Sequence, residues 1–241
     1  MKKRAWVFFL IIIFSLPFSV QAEKFFEKGV SSYEKGEYSS SLEYFKKDIS
    51  EKGLTGQSAF NIGNCYYKMK DYGRALLWYA KAEKNLFYDP DLKFNKKVCF
   101  DKLSIDEKNN SFLMTKIFFL NRYFPEVLVN IFSFLFLILF FILLFFLPEK
   151  KFIFFKIMFF LIACYFLFSS IYFFLQYNLD RKGIVLETSK VRSAYSEKAS
   201  VLFSLPAGTC IKVVKKDKGY YKILTRDKKP GWIKMKMVGI I

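Results

Sequence analysis

The sequence predicts a multi-domain membrane protein: an all-α helical repeat module, a hairpin of two transmembrane helices, and a C-terminal all-β barrel. Three observations predict it. Apolar residues are gathered into blocks at 6–20, 127–147 and 152–175 instead of being spread along the chain. The stretch between the first two blocks repeats itself at an offset of 34 residues. After Tyr177 the helical pattern gives way to short β-rich runs separated by Lys, Asp and Gly.

Composition demands the same segregation. Hydrophobic residues make up 53% of the 241, Phe alone numbers 32, and the charged fraction is still 25%. The net charge of +18 is unevenly placed: residues 23–110 carry 16 basic and 14 acidic side chains, residues 178–241 carry 15 and 5. A uniformly basic chain would suggest nucleic acid. Here the excess flanks the apolar blocks and fills one small module, so no nucleic-acid partner is expected. A solvated Lys-rich surface is the plainer reading; attraction to anionic headgroups or wall polymers is the sharper one. His is absent, which removes the commonest general base and metal ligand. The four Cys form no CxxC pair, so no metal or cofactor is expected.

The first block, within residues 1–22, reads as a secretory signal peptide. Lys2, Lys3 and Arg4 make the positive end, Trp6 to Leu16 the apolar run, and Val20-Gln21-Ala22 a cleavage site. The alternative is an uncleaved anchor, which leaves the later topology unchanged. A juxtamembrane linker is expected at 109–125, with transmembrane helices at 126–147 and 152–177. Each is long enough for about 30 Å of hydrocarbon. Between them Pro148-Glu149-Lys150-Lys151 is too short to cross a bilayer, and its lysines mark it as cytoplasmic. Residues 23–125 and 176–241 are then both placed on the periplasmic or exterior side of the inner membrane. Lys116, Arg122, Arg181 and Lys182 weaken the charge rule, so the signal peptide carries the orientation.

The repeat module spans 23–108. At an offset of 34, Phe26, Phe60 and Phe94 align, as do Gly29 with Gly63, Tyr38 with Tyr72, Ser41 with Ala75, Phe45 with Tyr79, and Cys65 with Cys99. Small Gly63 and Ala75 suit a close crossing of two helices, A and B, with Tyr66, Tyr72 and Tyr79 filling the space between. Asp91 to Leu103 reads as a third A helix acting as a cap, after the break at Asp89-Pro90. The period and residue types resemble the tetratricopeptide repeat. That resemblance implies peptide binding on the concave face of the A helices, at Asn61, Asn64, Tyr67, Lys68 and Asn95. The plainer reading is that Asn61 and Asn64 only satisfy local backbone. Equivalent residues of successive A helices lie 8–10 Å apart, beyond the ~7 Å Cα limit of a disulfide. Cys65 and Cys99 are therefore expected as unpaired core thiols.

The last module spans 182–241. Val191-Arg192, then Leu205-Pro206-Ala207-Gly208-Thr209, then Gly219-Tyr220-Tyr221-Lys222-Ile223, then Gly231-Trp232-Ile233 follow in an order that resembles the bacterial SH3-like domain. The pattern departs at Ala194-Tyr195, where that family often has Gly and Pro. The resemblance implies an aromatic groove at Tyr220, Tyr221 and Trp232, binding wall peptides or protein partners.

The order signal peptide, repeats, hairpin and barrel resembles the BatE-type proteins of the aerotolerance (Bat) group. It implies a membrane-anchored scaffold whose partners are exported or membrane proteins of a Bat-type complex, with von Willebrand A-type proteins and a MoxR-type ATPase. The alternative function is a tether to peptidoglycan through the barrel. An enzyme is not expected, since no Ser/Lys or Asp/Glu constellation stands at convincing spacing.

Overall fold

The computed structural model describes residues 17–84, 86, 89–105, 126–146, 153–179 and 181–241. The charged and apolar parts of the expected signal peptide (1–16), the linker 109–125 and the turn at 148–151 lie outside the described residues. Among the described residues there are seven α-helices followed by one antiparallel sheet.

The first five helices are α1 (Pro17–Glu34), α2 (Tyr38–Lys52), α3 (Gly56–Lys68), α4 (Tyr72–Glu83) and α5 (Pro90–Leu103). Three of them start at a side-chain cap. Thr55 Oγ1 accepts from Ser58 N at 3.1 Å, Asp71 from Arg74 N at 3.0 Å, and Asp89 from Leu92 N at 3.0 Å, satisfying amides that have no partner within the helix. Pro90 occupies the first turn of α5, where no amide donor is needed.

Each of the first two helix pairs closes on one contact between a glycine and a ring. A Cβ on Gly29 would stand 2.6 Å from the Phe45 ring, and one on Gly63 would stand 2.5 Å from the Tyr79 ring. These are the residues that the 34-residue offset aligns. Only a bare backbone leaves room for an aromatic ring across the helix crossing. The turns are equivalent too: Gly36 has φ +80° and Lys70 has φ +62°.

The two pairs join through α2 and α3. Ser41 Oγ donates to Gly29 O at 2.7 Å, and Cys65 Sγ donates to Ser41 Oγ at 3.3 Å. Asp48, 1% exposed, is held by Ser58 Oγ and by Lys52 Nζ at 3.2 Å. The second repeat has Ala82 at the position of Asp48. The first copy thus uses polar side chains, each partnered, where the second uses alanine. Cys65 and Cys99 are free and buried, and burial pushes the Cys99 thiol up to about 12.

Helices α6 (Glu126–Phe146) and α7 (Ile153–Leu179) run antiparallel. Phe132 meets Phe166 with ring centroids 5.9 Å apart, Phe136 stacks on Phe166 at 5.2 Å, and Phe140 meets Phe160 at 5.4 Å. Val129, Ser133, Ala163 and Ser169 are buried. Their other faces are apolar and open: Phe134 is 74% exposed and Phe154 72%. Within α7, Ile153–Tyr172 is long and apolar enough to cross a bilayer, at about 30 Å. The corresponding run in α6, Val127–Ile142, is shorter, at about 24 Å. Among the described residues one helix therefore meets the full length and hydropathy of a span, where the sequence suggested two.

The sheet contains β1 (Lys182–Val185), β2 (Ser189–Arg192), β3 (Val201–Leu205), β4 (Cys210–Asp217), β5 (Tyr220–Leu224), β6 (Pro230–Lys234) and β7 (Val238–Ile240), in the order β3-β2-β6-β5-β4-β1-β7. Val185, Val191, Ile211, Val213, Ile223 and Ile233 fill its core. Alternation does the sorting: in β6, Gly231 and Ile233 face in, while Trp232 and Lys234 face out. The arrangement is that of an SH3-like β domain.

The helical module and the sheet share a core. Leu76, Leu77 and Tyr79 of the helices cluster with Ile184 of β1, and Leu186 and Ile241 pack against them. Two glycines set the distance. A Cβ on Gly73 would fall 2.1 Å from Leu186 O, and one on Gly239 would fall 2.2 Å from the Leu77 side chain. At the rim, Arg74 is held by Asp71 and donates to Glu187 Oε1 at 3.0 Å, an ion network between the two modules.

Candidate functional site

The structure brings together three polar groups where α3, α4 and α5 meet. Tyr79 has no exposed surface, so its hydroxyl must find a partner inside. It donates to Asn64 Oδ1 at 2.7 Å, and Asn95 Nδ2 donates to the same oxygen at 3.0 Å. Burial, above all, drives the Tyr79 hydroxyl well above the ordinary tyrosine range, and Asn95 opposes this. Asn64 thus works first for the fold: it saturates a core hydroxyl and ties α3 to α4 and α5. Tyr67 lies against Tyr72, with centroids 5.7 Å apart. Asn61 is half-buried and Lys68 exposed. Positions 61, 64 and 68 share one stripe of α3 by helical spacing. The surface therefore offers Asn61, Lys68 and the free edges of Asn64 and Asn95: polar, amide-rich and weakly basic.

The second candidate surface is on the sheet. Cross-strand register places Arg192 opposite Trp232, Trp232 opposite Lys222, and Lys222 opposite Lys215. Trp232 meets Tyr195 edge-on, with ring centroids 5.3 Å apart. Lys218 Nζ sits 4.9 Å above the Tyr195 ring. Lys234 pairs with Glu197, whose carboxyl it holds below the usual range. Tyr220 shares this outer face with Trp232 but is 8% exposed. Tyr221 pairs with Ile233 and packs on the barrel core, on the opposite face. The strand alternation thus separates two neighbouring tyrosines, and Tyr221 belongs to the core. Tyr195, Lys218 and Arg192 complete the surface around Trp232. Of these, Tyr195 could be suspected from the sequence, since it stands where the family pattern breaks.

A shallow cleft of about 400 Å³ lies where the modules meet, between Met69–Arg74 on one side and Leu186–Thr188 with Ala207 on the other. Among the described residues no three His, Cys, Asp or Glu side chains gather as a metal-binding group. The first surface presents amide groups from helices, and the second presents Trp232 from β6 with Tyr195 from the loop between β2 and β3.

Comparison with known proteins bears on the C-terminal module. No curated protein matches the chain. The family model of the bacterial SH3 domain matches residues 187–238, from the turn before β2 to the start of β7. The C-terminal module is a bacterial SH3 domain.

Proposed function

We propose that the chain is a membrane-anchored scaffold, in which tetratricopeptide-type helices and a bacterial SH3 domain present one composite surface to partner proteins. The shared core of α4 with β1 and β7 carries this reading. It makes two contact modules one body. The chain leaves that body at Ile105, beside Gly208, and returns at Arg181, whose carbonyl accepts from Val213 N at 2.7 Å. The apolar antiparallel helices α6 and α7 lie between those points. A body fixed at both ends requires an even number of crossings, so the hairpin reading fits it, with α6 as a short first span completed by its flanks. The open faces of α6 and α7 exceed what a water-facing surface carries. The repeat reading rests on the paired Gly29–Phe45 and Gly63–Tyr79 contacts and the equivalent turns at Gly36 and Lys70.

The partner class follows from chemistry. Asn61, Asn64, Lys68 and Asn95 suit the backbone and carboxylates of an extended peptide. On the order of modules, a place as accessory of a Bat-type complex at the inner membrane, with both modules on the exported side, is the specific form of the proposal. Crosslinking in intact membranes followed by purification of the full chain tests it. A partner lost on Lys68→Glu together with Asn61→Asp supports the scaffold. An unchanged partner set, or none, overturns it.

The domain match supports a second reading, a tether to peptidoglycan through Trp232 and Tyr195. Sedimentation of the detergent-solubilised chain with wall sacculi decides between them. Pelleting that Trp232→Ala abolishes favours the tether.

A further inference from the structure

The sheet ends at β7 on one side and at β3 on the other. The two edges are treated differently. Gly239 of β7 lies against the Leu77 side chain, so α4 covers that edge. Among the described residues β3 pairs with β2 alone, and no other element packs along it. No backbone hydrogen bond leaves Val201–Leu205 for anything but β2 among those residues. Every second residue of such a strand turns its amide and carbonyl outward, a row of donors and acceptors that an extended chain can pair.

Native edges are blunted by charge, proline, bulges or cover. The bulge here falls opposite Val191 and Arg192, and it leaves both Val201 and Leu202 turned to solvent, 45% and 50% exposed. Residues 199–211 carry no charge, inside a module where basic side chains outnumber acidic ones by 15 to 5. The cations stand one strand back. Lys190 is exposed opposite Ser204, and Arg192 stands opposite Val201 and donates from Nη1 to Ala199 O at 2.7 Å. Lys198, also exposed, precedes the strand. The nearby carboxylates are already paired, Glu197 with Lys234 and Glu187 with Arg74. An added strand would lie about 4.8 Å beyond β3, its outer-face residues about 9.6 Å from Lys190 and Arg192, within the combined reach of two long side chains. A second copy would bring the same cations to this edge; an acidic strand complements them.

We propose that the outer edge of β3 is a docking site for an extended, acidic segment of a partner protein. The segment adds to the sheet as one further strand, with its carboxylates toward Lys190, Arg192 and Lys198. Main-chain pairing supplies the affinity, and charge selects the partner. The site needs neither the helical surface at Asn61 and Lys68 nor the Trp232 ring, so its failure leaves the readings above standing.

The test adds a short synthetic peptide of Glu alternating with Val and Thr to the full chain in micelles and follows amide hydrogen exchange by mass. New protection confined to Val201–Leu205 is expected. The same peptide with alternate amides N-methylated, or with Lys in place of Glu, is expected to bind on the order of tenfold more weakly. Val201→Lys puts a charge on the edge at a side chain already 45% exposed, and is expected to weaken binding by a similar factor. Lys190→Glu with Lys198→Glu is expected to reverse the preference, toward the Lys peptide. A thermal melt of each variant separates lost binding from lost fold. An unprotected β3, equal binding of the N-methylated peptide, or equal binding by a folded Val201→Lys chain overturns the proposal. So does a wild type that sediments, without peptide, as a dimer which Val201→Lys dissociates, since the edge then belongs to a second copy.

Discussion

Substituting Gly73 by Ala tests whether the helices and the SH3 domain are one body. The added Cβ would lie 2.1 Å from Leu186 O, against about 3.4 Å for an ordinary contact. The obstacle is main chain, so no side-chain rotation relieves it, and the seam must open by roughly 1.3 Å. Leu76, Leu77 and Ile184 are 1%, 7% and 4% exposed. Full burial of such side chains contributes about 1.5–3 kcal/mol each, so the seam holds at most ~5–9 kcal/mol. An opening of that size forfeits about half of the contact energy, hence roughly 2–5 kcal/mol. The gain in helix propensity from Gly to Ala, at most about 1 kcal/mol and less in a first turn, has the opposite sign and loses. The assay is urea unfolding of the full chain in micelles, with single-tryptophan versions reporting Trp78 in α4 and Trp232 in β6. In the wild type the two curves coincide. In Gly73→Ala they part, and the less stable module shifts its midpoint down by about 1 M, at a slope of about 1–3 kcal/mol per M. Coincident, unshifted curves in the variant would refute the shared core.

Other outcomes follow from single contacts. Asn64→Ala strands the Tyr79 hydroxyl in the core and is expected to destabilise the helices by about 1–3 kcal/mol; the Asn64→Ala, Tyr79→Phe double variant recovers most of that in the same urea assay. Lys70→Gly relieves a left-handed residue at φ +62° and is expected to raise helix-module stability by up to about 1 kcal/mol by thermal melting. Cys99 is raised from 9.0 to about 12. A raised group holds its proton more tightly when folded, so its contribution is complete below pH 9 and lost between pH 9 and 12, at about 1.4 kcal/mol per pH unit. Urea midpoints measured from pH 8 to 11 should fall, and Cys99→Ala should flatten the fall. The folded chain in micelles should resist alkylation at Cys65 and Cys99 at pH 8, while denaturation exposes both, read by mass.

The helical pairs could be read in the sequence because their contacts are local. Gly29 and Phe45 lie on consecutive helices, Gly63 and Tyr79 repeat them, and a fixed offset displays the coincidence. The SH3 strands could be read from their order of turns. What could not be read was orientation within a strand. Tyr220 and Tyr221 are adjacent and chemically alike, and only the pairing with Lys234 and Ile233 decides which one faces the core. Asn64 and Asn95 were grouped in the sequence and do meet, but their service to Tyr79 depends on a hydroxyl from another helix. The seam itself left no trace, because a leucine on α4 and a glycine in β7 have no periodic relation.

The contact of Leu77 with Gly239 also sets a timetable for biosynthesis. The two lie about 160 residues apart, a long loop by the measure that slows folding. At 5–20 residues per second, the outer face of α4 waits on the order of 10–30 s for its cover to be translated. During that interval α6 and α7 must be made. A chain stalled after them displays Leu76 and Leu77 to proteases and chaperones, so the seam doubles as a checkpoint that only completed chains pass.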